Sequence, residues 1–221
     1  MNKLFTTIFA VAVAFATASG QAQEIKGDAK AGETKNAMCI GCHGIKGYQS
    51  SFPEIYKVPM ISGQSAAYIS SALHAYKKGD RKYPSMRGIA ESLTDQDIAD
   101  LAAYYSASGV VAGATLPADP KAPSPAVQAL LNKANCASCH GANFSKPIDP
   151  SYPKIAGQHA DYLFVALKSY KMDPGNAKVG RGNAIMAGMA KQYTNAELKA
   201  MAGYLSSVDG ELKTVPESRF R

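Results

Sequence analysis

The chain has 221 residues and a formal net charge of +7, from 24 Lys and Arg against 17 Asp and Glu. That length suits one large domain or two small ones. The basic excess forms no Arg-rich run and no aromatic-interleaved stripe, so nucleic acid is excluded as a partner, and no segment is long and apolar enough to favour a membrane span. In chain order, Lys3 precedes an uncharged apolar run from Leu4 to Ala18 and the small residues Ala18-Ser19-Gly20-Gln21-Ala22. This is the layout of a secretory signal peptide over residues 1–22, with cleavage expected after Ala22 or Gly20. It makes the mature protein an exported, periplasmic one. Asp28 opens a predicted helix that runs into Cys39. Ile69, Ala72, Leu73 and Tyr76 recur at helical spacing and predict a second helix. Thr94 with Asp97 reads as a capping box before a third, whose apolar face is Ile98, Leu101, Ala102 and Tyr105. Residues 109–124 are rich in Ala, Gly and Pro, a semi-rigid linker composition. Ser124 before Pro125 reads as an N-cap with proline at the first helical position, leading into Cys136. Leu163, Ala166, Leu167 and Tyr170 repeat the second helix. Thr194 with Glu197 caps a last one with Leu198, Met201, Ala202 and Leu205 on its apolar face. The expectation is therefore an all-α chain, three main helices in each half joined by irregular loops, with no strand pattern.

All four cysteines fall in two pentapeptides, Cys39-Ile40-Gly41-Cys42-His43 and Cys136-Ala137-Ser138-Cys139-His140. C-x-x-C-H is the attachment pattern of c-type haem. Two intervening residues let one helical turn place both thiols against neighbouring vinyl edges of a porphyrin, and the adjacent imidazole then binds iron. A dithiol redox site needs a βαβ setting that is absent from the pattern. A single four-cysteine zinc site conflicts with motifs 97 residues apart.

The halves are a duplication. Pro59-Met60-Ile61-Ser62-Gly63-Gln64 matches Pro153-Lys154-Ile155-Ala156-Gly157-Gln158. Arg81, Met86, Gly88, Thr94 and Tyr104 match Arg181, Met186, Gly188, Thr194 and Tyr204. After its haem motif the second half is shorter, and it is longer around Asp173–Lys178. Among the methionines only Met86 and Met186 occupy equivalent positions, in a glycine-containing loop before the last helix, so they are the candidate sixth iron ligands. Met60, Met189 and Met201 read as packing. His74 and His159 have no equivalents and read as local structure. The Pro59 and Pro153 carbonyls are candidates to hold the proximal imidazoles. Arg81 and Arg181 are candidates to pair with haem propionates. Tyr68, Tyr162, Gln64 and Gln158 are either donors to the same groups or helix packing and loop caps. Residues 23–118 hold 10 basic and 9 acidic residues, and residues 119–221 hold 13 and 8. That asymmetry is a dipole able to orient docking or an ordinary solvated surface.

With these residues in place the chain resembles the dihaem cytochrome c4 family. The likeness rests on the two C-x-x-C-H motifs, the paired Pro-x-Ile-x-Gly-Gln and Arg-x-x-x-x-Met segments, and the closing Ala-Tyr-Tyr-Ser and Gly-Tyr-Leu-Ser. It extends over the whole mature chain. The resemblance implies two tandem class I cytochrome c domains, residues 23–108 and 125–221, related by a pseudo-twofold axis. Each would enclose one covalent haem, and the haem edges would approach across the interface. It also implies a one-electron carrier rather than an enzyme. Expected partners are a quinol–cytochrome c reductase and a terminal oxidase or dehydrogenase, with peripheral membrane association. Two other readings stay open: a cytochrome subunit of a flavocytochrome-type dehydrogenase, and a dihaem redox enzyme.

Overall fold

The computed structural model describes residues 25–113, 115–117, 120–173 and 175–216. The leader read at 1–22 and the end of the basic tail lie outside the described residues. The first half runs α1 (Ala29–Lys35), α2 (Ala37–His43), a two-stranded hairpin β1 (Gln49–Ser50) and β2 (Tyr56–Lys57), α3 (Ala66–Lys78), α4 (Pro84–Glu91) and α5 (Asp95–Ala107). The second runs α6 (Pro125–Lys133), α7 (Cys136–His140), α8 (Ala160–Ser169), α9 (Ala184–Ala190) and α10 (Asn195–Ser207).

The helices begin where side chains can satisfy their free N–H groups. Asp28 accepts from Lys30 and Ala31 at 2.8 and 3.3 Å, and Ser124 accepts from Val127. Thr94–Asp97 and Thr194–Glu197 both form the full reciprocal capping box. The helix expected to run unbroken into each haem motif is instead two helices. In the first half the break falls at the fully buried Asn36. In the second it falls at Asn135, whose φ of 46° is left-handed and so ends the regular α6 ladder. Each break re-aims the short helix that bears the cysteines. A second difference concerns Met86 and Met186. They sit on the helices α4 and α9 rather than in loops, because Pro84 at the first turn and the Asn183 side chain bonding to the Met186 N–H start those turns.

Each half has its own core. Ile69, Leu93, Ile98, Leu101, Ala102 and Tyr105 form one. Leu131, Phe144, Leu163, Tyr193, Leu198, Met201 and Leu205, with their neighbours, form the other. In the first half α1 crosses α5 closely at Gly32, where an added Cβ would fall 2.1 Å from the Asp100 carbonyl oxygen. The predicted apolar faces of α3 and α8 are only partly in these cores. Leu73 and Leu167 pack against these cores at their edge and also line a cavity between the halves.

The seam between the halves is built twice over by equivalent atoms. The Gln64 amide donates to the Lys154 carbonyl and accepts from the Lys154 N–H, both at 3.0 Å. The Gln158 amide does the same to Met60, at 2.8 and 3.0 Å. Gly63 and Gly157, at φ of 81° and 72°, make the left-handed turn that precedes each glutamine. Arg81 and Arg181 form an antiparallel bridge, flanked by Lys82 N–H to Gly180 carbonyl at 3.1 Å and Gly182 N–H to Asp80 carbonyl at 2.8 Å. The segments unique to each half also meet: Lys178 lies over the Phe52 ring at 5.7 Å. After α10 the chain crosses to the first half, where Lys213 bonds to the Ser62 carbonyl at 3.0 Å.

Candidate functional site

A continuous cavity of about 1010 Å³ lies between the halves. A single small-ligand site usually measures roughly 300–1,000 Å³, so this one reaches the top of that range. Its walls include Cys39, Cys42, His43 and Met86 from the first half and Cys136, Cys139, His140 and Met186 from the second. Arg81, Arg181, Tyr68 and Tyr162 line it as well. The sequence had placed these residues in two separate repeats. The fold opens both repeats onto one space.

None of the four cysteines is in a disulfide, and all are partly buried. The imidazoles are fixed alike. His43 Nδ1 lies 2.8 Å from the Pro59 carbonyl oxygen and His140 Nδ1 lies 3.0 Å from that of Pro153. Only a protonated Nδ1 can donate to a carbonyl, so this bond leaves Nε2 with its lone pair. Burial lowers the pKa of both rings and outweighs the opposite pull of the carbonyl. Each ring is therefore neutral at pH 7, the form that binds a metal.

The arginines sit on tyrosine. Arg81 donates to the Tyr68 hydroxyl at 3.0 Å and stacks over Tyr68 and Tyr76, at 5.3 and 5.5 Å. Arg181 repeats this with Tyr162, again at 3.0 Å, and with Tyr162 and Tyr170 at 5.5 and 5.6 Å. The roles of Tyr76 and Tyr170 were missed in the sequence, where they read as apolar helix positions. Their pairing in the repeat was the available signal. Among the described residues no carboxylate forms an ion pair with either guanidinium. Two half-buried cations on neutral hydroxyls favour an anionic group in the cavity, and the carboxylates of haem propionates meet that need. Paired thiols, neutral imidazoles and apolar walls fit the rest of a c-type haem, once in each half.

Met38, Met60, Met189 and Met201 also reach the cavity wall. Only Met86 and Met186 do so from equivalent helices. His74 faces Asp95 at 4.0 Å, and His159 precedes α8. Neither lines the cavity. Gln64 and Gln158, considered above as haem donors or loop caps, line the cavity, accept from the N–H groups of Ser65 and His159 at 3.0 Å each, and also join the halves.

The family model for cytochrome c matches residues 29–106 and 125–209. Cytochrome c4 of Azotobacter vinelandii is 31% identical over 199 residues, covering 82% of this chain and 90% of that protein. The chain belongs to the cytochrome c4 family. Cytochrome c4 of Thiocapsa roseopersicina is 33% identical over 191 residues, 82% of this chain and 93% of its own. The crystal structure of reduced recombinant cytochrome c4 from Pseudomonas stutzeri superposes with a TM-score of 0.57 at 28% identity. It spans 83% of this chain and all (100%) of that one. The chain accordingly has two tandem cytochrome c domains, carries two covalently bound c-type haems and transfers electrons.

Proposed function

We propose that the protein is a periplasmic carrier that moves single electrons between respiratory partners and passes them from haem to haem across the seam. It acts on no substrate of its own. The division follows the repeat, residues 23–108 and 125–221, after loss of residues 1–22. Cys39 and Cys42 tether one haem, Cys136 and Cys139 the other. His43 with Met86, and His140 with Met186, would hold the two irons. Bound haem supplies reversible one-electron exchange between ferric and ferrous iron.

The protein's part is to hold both groups in one shared cavity. The Pro59 and Pro153 carbonyls keep each imidazole in a single tautomer and orientation. Arg81 and Arg181 hold propionates beside the seam. The observation that carries this reading is the shared cavity, walled by both haem motifs and closed by reciprocal hydrogen bonds between the halves. A quinol–cytochrome c reductase and a terminal oxidase or dehydrogenase are the expected partners.

Visible spectra of the holoprotein, oxidised and reduced, with and without carbon monoxide, test the ligand assignment. The wild type is expected to show two low-spin haems with the methionine-to-iron charge-transfer band and no carbon monoxide binding. Met86→Ala and Met186→Ala should each remove about half of that band and open one haem to carbon monoxide. Unchanged spectra in either variant would reject that methionine. An open haem in the wild type would instead point to an enzyme.

A further inference from the structure

The duplication lets each buried position be read against its copy. Tyr105 on α5 and Leu205 on α10 are structural equivalents: the Gly63 N–H donates to the Tyr105 carbonyl and the Gly157 N–H to the Leu205 carbonyl, both at 2.9 Å. Leu93 and Tyr193 are a second such pair, each donating its N–H to the carbonyl three residues back, Ala90 or Ala190, at 3.2 Å. Each half therefore carries one tyrosine and one leucine at these two places, in opposite order. Both tyrosines are 3% exposed, and both line the haem cavity. Each also stands beside the first cysteine of its own haem motif, Tyr105 by Cys39 and Tyr193 by Cys136.

The two hydroxyls end differently. That of Tyr193 donates to the Leu130 carbonyl at 3.0 Å and is satisfied within its own half. That of Tyr105 is buried and makes no hydrogen bond of ordinary geometry among the described residues. A buried hydroxyl without a partner is costly, and the polar atom at hand is the Cys39 sulfur. Cys39 packs against the core that contains Tyr105. Burial, with Cys39 adding to it, pushes the Tyr105 hydroxyl far above the usual phenol range, so it stays an O–H donor at every working pH. The Tyr104 ring meets it edge-on at 5.0 Å and holds the phenol in place. A thioether sulfur keeps lone pairs that accept a hydrogen bond, though weakly, and hydrogen bonds around a haem tune its potential.

We infer that Tyr105 is a positioning residue for the first-half haem, its hydroxyl donating to the Cys39 sulfur in the tethered state. The second half lacks this bond, because Leu205 stands at the equivalent place and the Tyr193 hydroxyl is already engaged. The bond draws electron density from the sulfur, favours the ferrous state and raises the potential of the first-half haem alone. The inference rests on the assignment of Cys39 as a haem tether.

The test uses the full-length holoprotein. Tyr105→Phe keeps the ring and removes only the O–H. Spectroelectrochemical titration should show the first-half potential lowered and the second-half potential unchanged. Tyr193→Phe removes a hydroxyl bonded to a backbone carbonyl rather than to sulfur, and should leave both potentials unchanged. A further measurement needs no variant. Proton nuclear magnetic resonance of the reduced wild type should show a slowly exchanging Tyr105 hydroxyl proton with an Overhauser contact to the thioether bridge at Cys39. Unaltered potentials in Tyr105→Phe, an equal fall of the second-half potential in Tyr193→Phe, or a Tyr105 hydroxyl proton that contacts exchanging water instead of the thioether would each overturn the bond. The mass of the haem peptide bearing Cys39 keeps the two readings apart. A free Cys39 thiol sinks the tether, whereas an intact double thioether with unaltered potentials sinks the Tyr105 bond alone.

Discussion

Arg81 and Arg181 show what a single residue does here. Each is a permanent cation beside an apolar cavity, on a tyrosine hydroxyl rather than a carboxylate. A positive charge near haem disfavours the ferric state, which is the more positive of the two, and so raises the reduction potential. Arg81→Leu should therefore lower the potential of the first-half haem, by on the order of tens of millivolts. Arg181→Leu should do the same to the second. Arg81→Lys keeps the charge but loses the planar stack on Tyr68 and Tyr76, so its potential should stay closer to the wild type. Spectroelectrochemical titration resolves these outcomes, and an unchanged or raised potential in Arg81→Leu would remove the electrostatic role. At this scale the sequence is most legible where chemistry is local. Five consecutive residues specify thiol, thiol and imidazole, and the repeat then selects Arg81 and Arg181. It is least legible at Gln64 and Gln158. A repeat reveals that two positions are equivalent, but not that each side chain reaches the backbone of the other copy.

At the scale of elements, local hydrogen bonding sets most helix starts, and these were readable. Thr94 and Thr194 each accept from the N–H three residues on, while Asp97 and Glu197 reach back. Removing a capping hydroxyl typically costs about 1 kcal/mol. Thr94→Ala and Thr194→Ala should each lower stability by about that amount, or by several degrees in thermal midpoint for a domain of roughly 100 residues. Calorimetry of each holo variant checks this, and loss of less than a few tenths of a kcal/mol would mean that packing alone starts α5 or α10. The elements that escaped are short. α4 and α9 span eight and seven residues, and the β1–β2 pairing joins two residues to two. Such lengths show too little periodicity to declare themselves. The breaks at Asn36 and Asn135 were equally hidden, because tertiary packing of the cysteine-bearing turn decides them.

At the scale of the whole molecule, the halves are joined by polar contacts rather than by a shared apolar core. The two hydrophobic clusters stay within their own halves. The seam instead uses four amide hydrogen bonds from two glutamines that are each 4% exposed, the Arg81–Arg181 bridge, and ion pairs from Lys57 to Asp161 and from Lys168 to Glu54. Nothing in hydrophobic periodicity marks such a surface, which is why the sequence resolved two domains but not how they lock. Directional bonds fix a geometry more sharply than apolar contact does, and electron transfer between two haems depends on that geometry. Gln64→Leu with Gln158→Leu keeps similar volume and strands the N–H and carbonyl groups of Met60 and Lys154. Each buried polar group left unpaired costs about 1–3 kcal/mol. The double variant should load both haems and keep wild-type axial ligation, because neither glutamine belongs to the haem attachment motifs. Its halves should melt in two separate calorimetric transitions where the wild type shows greater coupling, and exchange between the haems, read by nuclear magnetic resonance of the half-reduced protein, should slow. Retention of one coupled transition and of wild-type exchange would mean that the arginine bridge and the ion pairs suffice to hold the haems in register.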